Sequence, residues 1–417
     1  MDTLYINGGR ELYGDIDIVS AKNALLPILA GAIISAKRVI IKKVAMFLDV
    51  KYMLKILEDL GCEIQIEEDC VYIDSEMANK YMVSDEYTIK VRSSVFMLGP
   101  LLSRFKRAKV AYPGGCNIGN RPIDLHIKGL SALNVKIEEK HGYIYCDGRS
   151  MKSGEVHLDF PSVGATENIM MAAVSLKGVT TIYNAAREPE IIDLQNFLNS
   201  MGCKIRGAGS STITIIGVSN FCDTVYTAMK DRIVVGTYLV ATAMCGGKVS
   251  LLGCKKEHNQ ALISKLKNCG ANIKENKCGI EINVKNRLRA IPIIETQPYP
   301  GFPTDLQNQV LAMQTISRGT SIIVENLYES RFKICNELIK MGADITVKDR
   351  TAIVKGVPRL YGASVAATDL RGGAALVLAG LSAEGYTTIS DIYHIDRGYL
   401  SIEEDFCKLG AEIKRIH

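Results

Sequence analysis

The sequence lacks the signatures of several specialised protein classes. Its 12 cysteines include no Cys-x-x-Cys pair, and with only 6 histidines no zinc-ligand spacing emerges. A net charge of +5 over 417 residues is too small for the strong basic field of a dedicated nucleic-acid binder. The phrase Gly246-Gly247-Lys248-Val249 lacks the hydroxyl residue and the earlier glycine of a P-loop. We therefore expect no metal site, and small anions remain candidate ligands.

Segments for membrane insertion or export are also missing. The longest near-apolar run, Leu25 to Ala36, contains a proline and is too short to cross a bilayer. The start, Met1-Asp2-Thr3-Leu4, lacks the positive charge of a signal peptide. Scattered cysteines indicate free thiols in a reducing compartment. We expect a cytoplasmic protein, long enough for two domains.

One phrase recurs six times along the chain, as LEDLGCEI, LSALNVKI, LNSMGCKI, LKNCGANI, LIKMGADI and FCKLGAEI. Each copy predicts a helix end, a left-handed cap and a strand, because Gly or Asn tolerates positive φ just after a helix. Copies lie 68 to 73 residues apart. The predicted caps are Gly61, Asn134, Gly202, Gly270, Gly342 and Gly410.

A second phrase repeats in step with the first: a polar residue opens a helix rich in small apolar side chains, which should be buried. The openings are Lys22, Arg92, Ser162, Asp231, Thr304 and Asp369. Short β-branched stretches follow each helix, so each unit reads as β-α-β-α-β-β. Six units favour an α/β protein with two lobes of three; the alternative is a solenoid, whose terminal repeats would need capping changes that we do not find.

Charge collects where anions would be attracted. Helix N-termini carry partial positive charge, so Lys22 and Arg92 at helix starts are locally unfavourable unless an anion lies there. The loop Pro113–His126 places Cys116 among three glycines, which is typical of a mobile flap with a reactive sulfur. The alternative is that Cys116 is a small buried apolar group.

Several of these phrases together resemble the UDP-N-acetylglucosamine enolpyruvyl transferases over nearly the whole chain. They are Ser20–Ala24, Pro113–His126, Ser162–Thr166, Ala186–Glu190, Phe302–Asp305, Ala367–Arg371 and His394–Tyr399. The resemblance implies two inside-out α/β barrels of three repeats each. It implies a discontinuous catalytic lobe, 1–21 plus 230–417, and a second lobe, 22–229, that carries the Cys116 flap.

The resemblance also implies the reaction. The enolpyruvyl group of phosphoenolpyruvate would pass to the 3′-hydroxyl of UDP-N-acetylglucosamine by addition and elimination, with release of phosphate and without a cofactor. The implied catalytic residues are Cys116, Asp305, Lys22 and Arg397. The implied substrate-binding residues are Lys22, Asn23, Arg92, Arg121, Pro122, Ile123, Asp124, Leu125, His126, Ser162, Val163, Gly164, Asp305, Leu327, Arg331, Asp369, Arg371 and Arg397.

Alternatives remain for some of these roles. Asp305 is either the base or a helix cap, and Leu327 either contacts the sugar or packs in the core. The thiol of Cys116 is either a proton donor or forms an adduct with the substrate. Some residues could form interlobe ion pairs instead of doing chemistry: Glu190, Asp231, Arg331, Asp369 and Arg371.

The sequence departs from the family pattern at two places. Phe160-Pro161 stands where some members carry a lysine, and Gly372-Gly373 stands where others have Ala and Ser, which should loosen that helix start by about 1 kcal/mol per glycine. Competing functions are the sister enzyme that makes 5-enolpyruvylshikimate-3-phosphate, an inactive sugar-nucleotide-binding paralogue and an RNA-end cyclase.

Overall fold

The computed structural model describes residues 2–88, 90–112, 118–119 and 121–416, and the chain has an α/β fold. Six helices in this described part are buried almost all round, as their apolar composition predicts. Two of them begin with a 3₁₀ turn. The six are Lys22–Gly31, Arg92–Met97 continuing as Leu98–Phe105, Val163–Ala173, Arg232–Cys245, Thr304–Leu306 continuing as Gln307–Ile316, and Leu370–Ser382.

The remaining helices are mostly amphipathic and end at the predicted caps. They are Leu48–Asp59, Asp85–Thr88, Asp124–Ala132, Pro189–Ser200, Gln260–Cys269 after the 3₁₀ turn Lys256–Asn259, Ile334–Lys340 after Arg331–Lys333, Tyr393–Asp396, and Ile402–Lys408. All six predicted cap residues have positive φ, between +64° at Asn134 and +112° at Gly270. At the first cap, the N–H of Cys62 reaches back to the carbonyl of Leu57. The left-handed caps are therefore confirmed.

Six sheets make up the strand structure of the described residues. In spatial order, three are Ser364–Ala366, Tyr386–Ser390, Thr3–Asn7, Glu412–Ile416; Asn272–Asn276, Gly279–Val284, Gly247–Leu252, Leu12–Asp17; and Ile293–Glu295, Thr320–Val324, Thr351–Lys355, Asp344–Lys348. The others are Lys204–Arg206, Thr212–Ile216, Val179–Tyr183, Glu155–His157; Thr224–Thr227, Arg38–Lys42, Cys70–Asp74, Glu63–Glu67; and Arg107–Ala111, Tyr143–Asp147, Lys136–Lys140.

Contacts divide the chain into two compact units. The first takes the described residues of 1–18, 116–120 and 230–417, and the second those of 19–115 and 121–229. Each unit has its own apolar core, built on three of the buried helices. No helix of the described ranges is long and apolar enough to cross a membrane.

Two strands pair with partners far along the chain. Leu12–Asp17 runs parallel to Gly247–Leu252 in the first unit, with Leu12 opposite Gly247. Thr224–Thr227 runs parallel to Arg38–Lys42 in the second unit, with Thr224 opposite Val39. Each of these strands is followed in sequence by a buried helix of the other unit, so the chain changes units after Ile18 and after Met229.

Candidate active site

Lys22 is the first residue of a buried helix, and the structure supplies a counter-ion for it. Its Nζ lies 3.3 Å from Oδ2 of Asp49, and both side chains are buried. Asp49 itself stands in the first turn of the helix Leu48–Asp59, where a negative charge is favourable. Sequence reasoning missed Asp49, although a cation at a helix start called for a carboxylate nearby. Asn23, beside Lys22, is partly exposed.

Arg92, Arg121 and His126 lie close together in the second unit. The guanidinium of Arg92 donates to the carbonyl of Arg121. Burial lowers the pKa of His126 to about 3, and the charges of Arg92 and Arg121 lower it further. His126 is therefore neutral at every pH at which the protein works. The intervening residues of the predicted site, Pro122 to Leu125, form the turn into the helix Asp124–Ala132.

Asn168, a fully buried residue that sequence reasoning did not single out, holds the His126 ring. Its side-chain oxygen accepts from the N–H of Gly99 at 2.8 Å, and its Nδ2 donates to the carbonyl of Val95 at 3.0 Å. The same Nδ2 lies 2.8 Å from Nδ1 of His126. Asn168 thus connects three segments of the second unit around the histidine.

Ser162 caps the helix Val163–Ala173, as its predicted position implies. Its hydroxyl accepts from the N–H of Ala165 at 3.3 Å. Gly164, in the first turn, lies against the histidine: a Cβ added there would stand 3.0 Å from Cε1 and 3.1 Å from Nε2 of His126. Any larger residue would displace the ring, so the glycine is a requirement of packing.

Asp305 forms the centre of an ion-pair network in the first unit. Its Oδ1 accepts from Nη2 of Arg331 at 2.7 Å, and its Oδ2 accepts from Nη2 of Arg371 at 3.1 Å. Both arginines are buried, whereas 28% of the Asp305 side chain is exposed. The N-cap of its 3₁₀ turn is Pro303, so the side chain serves the arginines and not a helix cap. The network presents an oriented carboxylate at the surface of its unit.

Arg371 carries its charge in spite of burial. Burial disfavours the charged form, but Asp305, Tyr399 and Asp231 together hold the pKa of Arg371 above its usual value. A guanidinium surrounded in this way stays positive. The carboxylate of Asp305 is therefore held by a permanent charge.

A buried carboxylate, Glu325, braces the residues on either side of Asp305. Its Oε2 accepts from the hydroxyl of Thr304 at 3.0 Å, and its Oε1 from that of Thr296 at 2.9 Å. The N–H groups of Leu327 and Tyr328 also donate to Oε1, at 2.9 and 3.1 Å. Leu327 is half-buried and lies outside the apolar core, which argues against the core alternative. No sequence motif drew attention to Glu325.

Asp231 and Asp369 cap buried helices. Asp231 accepts from the N–H groups of Ile233 and Val234 at 2.8 and 3.0 Å. Asp369 accepts from those of Arg371 and Gly372, both at 3.0 Å, and also lies 3.8 Å from Nη1 of Arg331. Helix capping by these two residues is a role that the ion-pair alternative did not include.

The glycine pair after Arg371 permits close packing. A Cβ added at Gly373 would stand 2.7 Å from Cγ1 of Ile395, and one at Gly372 would stand 2.7 Å from Oδ2 of Asp369. The segment that carries Arg397 packs on this helix start through Ile395. The expectation of a loosened helix start was therefore wrong, because the missing side chains let two segments approach.

Three carboxylates lie close together near the start of the helix Pro189–Ser200. Glu167 is fully buried, and neither of its oxygens has a hydrogen-bond partner among the described residues. Burial, with Glu190 and Glu188 nearby, raises the pKa of Glu167 well above its usual value. Sequence reasoning did not mark Glu167, which stands inside an apolar helix.

Cys116 lies outside the described residues, so its predicted roles stay predictions. The nearest described part of its loop is Ile118 and Gly119, and the carbonyl of Ile118 accepts from the N–H of Ser330 at 3.1 Å within the first unit. Arg397, at the end of the short helix Tyr393–Asp396, is partly exposed, and burial together with Arg397 lowers the pKa of His394.

Known proteins match this chain along its length. The family model for EPSP synthase (3-phosphoshikimate 1-carboxyvinyltransferase) matches residues 6–406. The enolpyruvyl transferase NikO from Streptomyces tendae superposes with a TM-score of 0.87 at 21% identity, over 99% of this chain and 98% of its own. EPSP synthase from Acinetobacter baumannii superposes with a TM-score of 0.77 at 17% identity, over the full length of both chains. These likenesses define the fold of the enolpyruvyl transferases.

Closer relatives narrow the class. UDP-N-acetylglucosamine 1-carboxyvinyltransferase 2 of Caldanaerobacter subterraneus subsp. tengcongensis is 49% identical over 416 residues, which cover 100% of both chains. UDP-N-acetylglucosamine 1-carboxyvinyltransferase of Geobacter metallireducens is 46% identical, again over 100% of both chains. The chain belongs to the UDP-N-acetylglucosamine 1-carboxyvinyltransferase family.

Proposed function

We propose that this protein transfers the enolpyruvyl group of phosphoenolpyruvate to the 3′-hydroxyl of UDP-N-acetylglucosamine and releases phosphate, the first committed step of peptidoglycan synthesis. Identity of 49% to a full-length relative of that name supports it most directly. The described residues add an oriented carboxylate, Asp305, and cations at the predicted positions Lys22, Arg92 and Arg121.

We infer that each unit is an inside-out α/β barrel of three β-α-β-α-β-β repeats. Three buried helices and three sheets in each unit support this, and the separate cores argue against a solenoid, which would bury one continuous core. The catalytic lobe would comprise 1–21 and 230–417 and the second lobe 22–229.

In the proposed reaction, the 3′-oxygen of the sugar attacks C2 of phosphoenolpyruvate while its proton passes to Asp305. Cys116 protonates C3, which gives a tetrahedral intermediate with a methyl group. Loss of a proton from that methyl group then restores the double bond as the C2–O bond to phosphate breaks. Asp305 suits the acceptor role because its arginine partners leave lone pairs on both oxygens.

Binding of the two anionic substrates is assigned to cations and a helix start. Lys22, Arg121 and Arg397 would hold phosphoenolpyruvate, since each hydrogen bond to a charged group contributes about 1.5 to 3 kcal/mol. The first turn of the helix Val163–Ala173, with Arg92 and the residues Arg121 to His126, would hold the nucleotide. Asn23 and Leu327 would contact the sugar.

A phosphate-release assay tests the proposal. Wild-type protein should release phosphate from phosphoenolpyruvate with UDP-N-acetylglucosamine and not with shikimate 3-phosphate, whereas the sister function predicts the reverse. Cys116→Ser should bind UDP-N-acetylglucosamine as wild type does but lose turnover, and the epoxide fosfomycin should stop the wild type by alkylating the thiol. No release with either acceptor would favour the inactive paralogue and refute the proposal.

The protein is proposed to act in the cytoplasm on these small molecules alone. Eleven cysteines of the described residues are free thiols, as expected in a reducing compartment.

A further inference from the structure

The tautomer of His126 can be read from the hydrogen bonds of Asn168. A backbone carbonyl only accepts and a backbone N–H only donates, so Val95 and Gly99 fix which end of the Asn168 amide is NH₂. That NH₂ group faces Nδ1 of His126 at 2.8 Å. Nδ1 must therefore be the acceptor, and the single proton of the neutral ring is on Nε2.

The Nε2 edge of the ring lies at the start of a buried helix. It packs over Gly164, in the first turn of the helix Val163–Ala173. Ser162 takes up the N–H of Ala165 through its hydroxyl and that of Thr166 through its carbonyl. The N–H groups of Val163 and Gly164 fall outside the helix's own hydrogen bonding. Together with Nε2–H they form a row of neutral donors suited to an anion.

We propose that Asn168 is a positioning residue that holds His126 with its proton on Nε2, so that His126 donates a hydrogen bond to the diphosphate of the sugar nucleotide. The diphosphate as ligand rests on the proposed function; the tautomer does not. A neutral donor suits this place because Arg92 and Arg121 already supply positive charge and would repel an imidazolium.

Nuclear magnetic resonance of protein labelled with ¹⁵N in its histidine rings tests the tautomer directly. The His126 signals, assigned by their loss in His126→Gln, should show a bare Nδ1 and a protonated Nε2 across pH 6 to 9. A proton on Nδ1, or on both nitrogens, would overturn the inference. This measurement requires no turnover, so it stands apart from the phosphate-release assay.

Two replacements of His126 separate the donor from the bulk of the ring. Glutamine places an amide NH₂ near the position of Nε2, whereas asparagine reaches only that of Nδ1. His126→Asn should raise the KM for UDP-N-acetylglucosamine roughly 10- to 100-fold, the loss of one hydrogen bond to a charged group. His126→Gln should stay within about threefold of wild type. The KM for phosphoenolpyruvate should change little in both, and equal KM values for the nucleotide would refute the donor role.

Asn168→Asp tests the positioning role. The carboxylate would accept from Nδ1–H, so Nε2 would carry a proton only while the ring is doubly protonated. Calorimetric binding of UDP-N-acetylglucosamine should then weaken as pH rises, whereas wild-type binding should show no such trend. If the folded variant binds as wild type does at every pH, Asn168 does not set the tautomer. Should this variant fail to fold, the two His126 variants still decide the matter.

Discussion

Asp305→Asn removes the proposed proton acceptor and one charge from a buried network. In the structure, Arg331 and Arg371 each donate to a different oxygen of Asp305, at 2.7 and 3.1 Å. An asparagine keeps one acceptor and turns an NH₂ group toward the other arginine. Removing one partner from a buried ion pair costs about 3 to 5 kcal/mol. We expect the lower end, about 3 kcal/mol, because Asp305 is partly exposed and Arg331 keeps Asp369 at 3.8 Å.

Loss of the proton acceptor should lower kcat by about 10²- to 10⁴-fold. Urea unfolding and phosphate release, measured on the same preparation, separate the two effects. Glu403→Gln is a matched control, because Glu403 also accepts two hydrogen bonds from one arginine, Arg415, in the same unit. It should lose some stability and keep wild-type turnover. The reasoning fails if Asp305→Asn turns over within threefold of wild type, or if Glu403→Gln loses turnover equally.

Two further predictions concern the second unit. Because the pKa of Glu167 is raised in the folded protein, the folded state keeps a proton that the unfolded state loses above about pH 4.3, so stability should fall by up to about 1.4 kcal/mol per pH unit as pH rises toward the folded pKa. Glu167→Gln should abolish this slope in urea unfolding between pH 5 and 8; parallel curves would contradict it. Gly164→Ala should raise the KM for UDP-N-acetylglucosamine by crowding His126. The control Gly154→Ala, with nothing within 4 Å of the added carbon, should not.

Features that depend on neighbours in sequence were predictable. The six caps require a residue that tolerates positive φ, and the helix starts carry residues of their own type, so both could be read from a repeating phrase. Asp231, Ser162 and Asp369 were marked as helix openings for this reason, and all three cap their helices.

Features that depend on partners distant in sequence were not predictable. The counter-ion of Lys22 lies 27 residues away, and Asn168 meets His126 across 42 residues. Glu325 and Glu167 carry no motif, since their roles arise from which groups surround them after folding. Even the two glycines after Arg371 were misread, because their purpose is the approach of Ile395.

The sequence by itself determined the repeat, the helix boundaries and the family, because these follow from local backbone preference and from long shared phrases. Only the tertiary structure decided which buried charges are paired, which strands exchange between units and which nitrogen of His126 carries the proton. Those properties depend on distances between groups that the chain brings together only when it folds.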